Sequence, residues 1–138
     1  MTKRIRTWQS ALSALVAEKR NAPFVFSQND CATFAADCVK AQTGEDFAAS
    51  IRGTYTDEAT AAVEMSKLGT IAEIAAARLG REVPPVMAQV GDVVMVEQAG
   101  KEMFMVCVGG HLTAPGRNGL IRAPLSAALR AWRCATEG

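Results

Sequence analysis

Gly91-Asp92-Val93-Val94-Met95-Val96 is the stretch on which the fold class turns. A glycine–aspartate turn opens a run of β-branched and apolar residues too short for a helix and suited to a half-buried strand. Every periodic segment before it reads as helix, and nearly every one after it reads as strand. Downstream, Gly100-Lys101 is a turn, residues 103–108 a second strand, Gly109-Gly110 a tight hairpin connection and 111–114 a third strand. Residues 115–119 are expected to turn, 120–122 to form another short strand, 126–131 a helical turn or two, and 132–135 a closing strand. Pro84-Pro85 marks the change of regime.

Upstream, Trp8, Leu12, Leu15 and Lys19 share one stripe of a helix over 6–20. Asn21-Ala22-Pro23 breaks it, the short apolar Phe24-Val25-Phe26 follows, and Ser27 to Asp30 supply caps for a second helix over 31–42. Cys31, Phe34, Ala35, Cys38 and Val39 recur at helical spacing, so they share a buried face, and Gly44 is the stop. Residues 47–55 read as a loop with room for a helical turn. Thr56 or Asp57 caps a third helix over 58–68, and Thr70 with Glu73 forms a capping box before a fourth over 71–79. Helices first and strands afterwards predict an α+β fold, in which helices over about 6–80 pack on an antiparallel sheet over about 90–136, all in one domain spanning 1–138.

Composition narrows the function classes. A 138-residue chain with 49% apolar and 21% charged residues is an ordinary globular mix. Fifteen basic against 14 acidic residues give no overall field to recognise nucleic acid. From Met103 onward Arg117, Arg122, Arg130 and Arg133 oppose a single acid, Glu137, a mild basic tail read as solvated surface. The longest uncharged run, Met103 to Gly116, has 14 residues, short of the ~20 a membrane span needs. Lys3, Arg4 and Arg6 before the small apolar run 11–17 imitate a signal peptide, but Gln9, Ser10 and Ser13 interrupt it, which favours an amphipathic first helix.

Cys31, Cys38, Cys107 and Cys134 are too scattered for a disulfide framework, and free buried thiols are expected. Four cysteines around a metal or iron–sulfur centre are the weakest alternative, because close ligand pairs are absent; no cofactor and no metal are expected. Asn29-Asp30-Cys31 is the informative spot. A cysteine in the first turn of a helix meets unpaired backbone N–H groups and the positive end of the dipole, both of which favour the nucleophilic thiolate. A structural cysteine there would have the same sequence.

The order of these motifs resembles the papain-like NlpC superfamily of cell-wall cysteine peptidases. There a helix carries Asp-Cys-Ser-Gly-φ, a strand opens with Gly-Asp-φ-φ, and the next strand starts with the catalytic histidine and runs on as apolar residues to a glycine. Asp30-Cys31-Ala32-Thr33-Phe34 resembles the first element and Gly91-Asp92-Val93-Val94 the second. Met103-Phe104-Met105-Val106-Cys107-Val108-Gly109 is similar to the third in hydrophobicity and length. The whole chain also resembles a small phage-encoded family that sits with tail-tip genes and is related to those peptidases. Pro23-Phe24, the run from Asn29 to Val39, Arg52-Gly53-Thr54-Tyr55, the run from Ala88 to Val94 and Ala131-Trp132-Arg133 carry that resemblance.

The departure from the pattern is at the base. The resemblance puts Met103 where the general-base histidine should stand, and a thioether cannot take a proton from a thiol. The sole histidine, His111, lies beyond the glycine turn, some 20 Å away along the hairpin. The resemblance therefore implies a bacteriophage tail-tip structural or assembly component with a degenerate, inactive peptidase fold, carried in the virion after assembly in the host cytoplasm. Its expected partners are other tail-tip proteins. The competing reading is an active peptidase or amidase that cuts peptidoglycan stem peptides during DNA entry, with Cys31 as nucleophile and His111 as base.

Overall fold

Among the described residues, three of the four helices begin with the same device. The structure, a computed structural model, describes residues 3–135. Asp30, Asp57 and Thr70 each accept the amide of the residue three positions on, and Thr33, Thr60 and Glu73 reach back to the cap's own N–H. Each reciprocal pair satisfies two donors that the helix itself leaves free. The boxes open α2 (Cys31–Thr43), α3 (Glu58–Ser66) and α4 (Ile71–Arg78); α1 (Trp8–Lys19) starts without a side-chain cap. Gly44, at φ +84°, ends α2 in the left-handed conformation that glycine adopts without strain.

The strands are β1 (Glu82–Val83), β2 (Val93–Gln98), β3 (Lys101–Cys107), β4 (His111–Gly116), β5 (Gly119–Pro124) and β6 (Arg130–Trp132), with 3-10 turns at Pro85–Met87 and Leu125–Ala127. They form one antiparallel sheet in the order β1-β6-β2-β3-β4-β5. The chain is thus α+β, with four helices and a six-stranded antiparallel sheet among the described residues.

Alternation divides the sheet into two apolar faces. Val93, Met95, Phe104 and Val106 face the helices, in one cluster with Phe34, Cys38 and Val39 of α2 and Leu12 of α1. Val94, Val96, Met105, Cys107, Leu112 and Ala114 form the other face, which Val83, Ala128 and Ala131 help to close. Apart from half-buried Cys31 the α2 stripe is fully or nearly fully buried, and α2 packs on β3 and β4. Each of its large apolar side chains contributes about 1.5–3 kcal/mol on burial.

A buried polar hub ties the two ends of the chain to this core. Gln42 is fully buried; its amide donates to the carbonyls of Cys38 and Gly91, both at 3.1 Å, and its oxygen accepts from Arg4 Nε at 3.1 Å and Cys134 Sγ at 3.2 Å. Gly91 has φ +94°, and a Cβ there would lie 2.2 Å from Gln42 Oε1. Asp92 accepts the Gln89 amide at 2.8 Å and pairs with Arg133. The Gly-Asp pair that opens β2 is therefore a packing and turn element.

Several boundaries differ from those the sequence suggests. The expected turn over 115–119 shrinks to Arg117-Asn118, because β4 and β5 stay in register through Gly116↔Gly119. Pro115 is tolerated in β4 because the β3–β4 ladder covers only Val106↔Thr113 and Cys107↔Leu112 and has ended before it. The helical turns expected over 126–131 reduce to one 3-10 turn, and the closing strand begins at Arg130 instead of Trp132. Leu129 donates its amide to Met95 O at 2.8 Å, and Arg130 clasps Glu82 with two nitrogens at 2.7 and 2.8 Å, which draws that segment into the sheet. Arg130 and Arg133 are thereby ion-paired; Glu137 lies outside the described residues.

Candidate functional site

Cys31 opens α2, directly after the capping Asp30. Asp30 is nearly fully buried and saturated with donors: the amides of Ser27 (2.8 Å) and Thr33 (2.9 Å), the Thr33 hydroxyl (3.0 Å) and the Tyr55 hydroxyl (2.5 Å). Its role is to fix the helix start and the Tyr55 ring. Cys31 is half-buried. Burial pushes the thiol pKa up and neighbouring Asp30 adds to the rise; the Phe104 and Ala32 amides and the Lys101 ammonium only partly offset it. Burial thus favours the neutral thiol.

Cys31 borders a cavity of about 460 Å³ with mostly apolar walls, contributed by Phe24, Phe26, Tyr55, Met65, Ile71 and Met103 among others. Its rim carries Lys101, exposed and paired with Glu58 at 3.1 Å, and the exposed Glu102. Such a site accepts an apolar side chain and offers a weakly ionised thiol. Tyr55 and the Phe104 amide are the members sequence reasoning missed. Tyr55 lies in a resembling segment, the one signal in the sequence that could have found it; a backbone amide leaves no trace in sequence.

The resemblance sets Met103 at the position of the general base, and the register decides which way that position faces. Met103 borders the cavity, but its side chain packs with the cluster on the far face of the sheet, opposite Val96. Alternation gives the helix-facing positions at this end of β3 to Phe104 and Glu102. An imidazole in place of Met103 would therefore point away from α2.

His111 stands elsewhere. It borders a separate cavity of about 360 Å³ that shares no lining residue with the first. The Val108 amide donates to the His111 carbonyl at 3.1 Å, so His111 is about 13 Å along the strand from the Phe104 amide beside the sulfur. The other cysteines do not converge on Cys31 either. Cys38 and Cys134 are buried on the helix side of the sheet, and Cys107 is buried on the opposite face. Burial raises the pKa of all three thiols. Among the described residues no group of three or more His, Cys, Asp or Glu is placed to hold a metal ion. Among them, too, no helix is long and apolar enough to cross a membrane.

No curated protein matches the chain. One family model does match, over residues 3–134, which is nearly the full length. The chain belongs to the family described as Domain of unknown function (DUF6950).

Proposed function

We propose that the chain is a structural or assembly component of a bacteriophage tail tip, built on an NlpC-type, papain-like fold that has lost its chemistry. The observation that carries the inactive reading is the separation of the sole imidazole from the thiol: Cys31 and His111 border different cavities. Acyl transfer by cysteine needs a base within ~2.6–3.2 Å of the sulfur. The first-turn cysteine of α2 packed against an antiparallel sheet supports the relationship to those peptidases. The raised thiol pKa supports the loss. The virion is the proposed location and other tail-tip proteins the partners; the exposed apolar Val86, Met87, Leu125 and Leu129 give such partners something to cover.

The test has two arms. Purified chain is incubated with peptidoglycan, and particles of the encoding phage are analysed for the chain. No release of stem peptides, together with presence in tail particles, is the expected result. Turnover that disappears in both Cys31→Ala and His111→Ala would restore the active peptidase, and absence from particles would remove the tail-tip role.

A further inference from the structure

The cavity that His111 borders has its own chemistry, independent of Cys31. It lies between α1 and the β4–β5 hairpin, and its α1 wall is a single helical stripe from Gln9 through Leu12, Ser13 and Val16 to Arg20. The eleven rises from Gln9 to Arg20, the residue that caps α1, make that wall about 16 Å long, the span of about five extended residues at ~3.3 Å each. The opposite wall comes from His111 and Thr113 of β4 and from Leu120 and Arg122 of β5. Leu112 and Ala114 belong to the far face of the sheet, so His111 and Thr113 alternate toward α1. Thr113 pairs directly with Arg122 in the ladder, which places the guanidinium-bearing residue on the same side. The Leu120 amide donates to the Arg20 carbonyl at 3.0 Å and brings the second arginine to the same end.

The electrostatics are one-sided. Two arginines and the imidazole border the cavity, and no Asp or Glu does so among the described residues. Neither Arg20 nor Arg122 takes part in an ion pair among them, although Arg52, Arg130 and Arg133 all do. Unpaired guanidiniums in an acid-free cavity are a receptor for a carboxylate, which they bind by parallel N–H donors. The imidazole supplies an N–H donor in either protonation state. Leu12, Val16 and Leu120 provide the apolar part of the walls.

We infer that this cavity binds the C-terminal end of a peptide, with its carboxylate held by Arg20 and Arg122 and its last apolar side chains against Leu12, Val16 and Leu120. The length of the groove favours an extended peptide over a compact acid. Gln9 and Ser13, two polar side chains along the α1 wall, can meet the peptide's backbone groups.

Nuclear magnetic resonance titration of the ¹⁵N-labelled chain tests this with three probes: an acetylated Ala-Ala-Val-Val-Leu with a free C-terminus, its C-terminal amide, and octanoate. The free-acid peptide is expected to shift the amides of Ser13, Val16, Thr113 and Leu120, with the amide and octanoate each about tenfold weaker. Arg20→Gln and Arg122→Gln should each weaken the free-acid peptide about tenfold, while Lys67→Gln, at the exposed residue that follows α3, leaves it unchanged. Both arginines are exposed, and the wild-type comparison of acid with amide needs no variant at all. Equal binding of acid and amide, octanoate binding as tightly as the peptide, or shifts confined to the Cys31 cavity would each overturn the inference.

Discussion

Replacing Tyr55 with phenylalanine removes one oxygen and nothing else from the interior, so it isolates the bond on which the Asp30 cap depends. The Tyr55 hydroxyl donates to Asp30 Oδ2 at 2.5 Å, and both residues are almost fully buried. The ring keeps its edge contact with Phe26, whose centroid is 6.4 Å away. A hydrogen bond to a charged acceptor contributes about 1.5–3 kcal/mol, and the variant leaves the buried carboxylate one donor short. Tyr55→Phe should therefore lower the unfolding free energy by about 2 kcal/mol and Tm by about 5–10 °C. Urea unfolding should show a lower midpoint with an unchanged slope. The effect has a pH signature of known sign. Burial, and then the bond to Asp30, raise the Tyr55 pKa far above the ordinary phenol value, so the folded protein holds that proton where the unfolded chain releases it. The stabilisation is fully present below about pH 10 and is lost as pH rises further, so the gap between wild type and variant should narrow there. A stability change under about 0.5 kcal/mol at neutral pH, or a gap that widens in alkali, would refute the reasoning.

Gly91→Ala combines a strained backbone at φ +94° with a methyl 2.2 Å from Gln42 Oε1, and should destabilise by about 2–4 kcal/mol in chemical denaturation. Arg133→Met leaves fully buried Asp92 without its cation and should cost about 3–5 kcal/mol at neutral pH. Burial raises the Asp92 pKa, with the Gln89 amide and Arg133 opposing it, so its contribution is present below about pH 4 and falls as pH rises; the variant's loss in thermal melts should shrink on acidification. Iodoacetamide labelling of Cys31, followed by mass spectrometry, should be slow at neutral pH, with an inflection above the ordinary thiol range of about 8.5; rapid labelling at pH 7 would contradict the raised pKa.

The helices were legible because their signals are local. Asp57, Thr70 and Gly44 each act within four residues of where they stand, and the structure uses all three. The α2 stripe was legible for the same reason, since periodicity alone puts Phe34 and Cys38 on one face. The sheet hairpins could be located, and alternation puts Met103, Met105 and Cys107 on one face, but a likeness of hydrophobic runs does not say which face meets α2, because a slip of one residue exchanges the two sides of a strand. Two-residue β1 falls below any pattern, and β6 exists only because Arg130 and Leu129 find partners 34 residues or more away. The α1 cavity was invisible for a related reason: Arg20 and Arg122 come from opposite ends of the chain.

The position of β6 between β1 and β2 bears on how the protein is made. The hairpin of β2 and β3 can form as soon as residue 107 is available, but its β2 edge waits for residues 130–132 before it is paired. At synthesis rates of ~5–20 residues per second that edge, flanked by Val93, Val94 and Met95, stays open for roughly one to five seconds on every nascent chain. An open apolar edge is a template for pairing with another chain. Production at high level should therefore be limited by aggregation of unfinished molecules, and chains ending before Arg130 should be found in inclusion bodies while the full-length protein stays in solution.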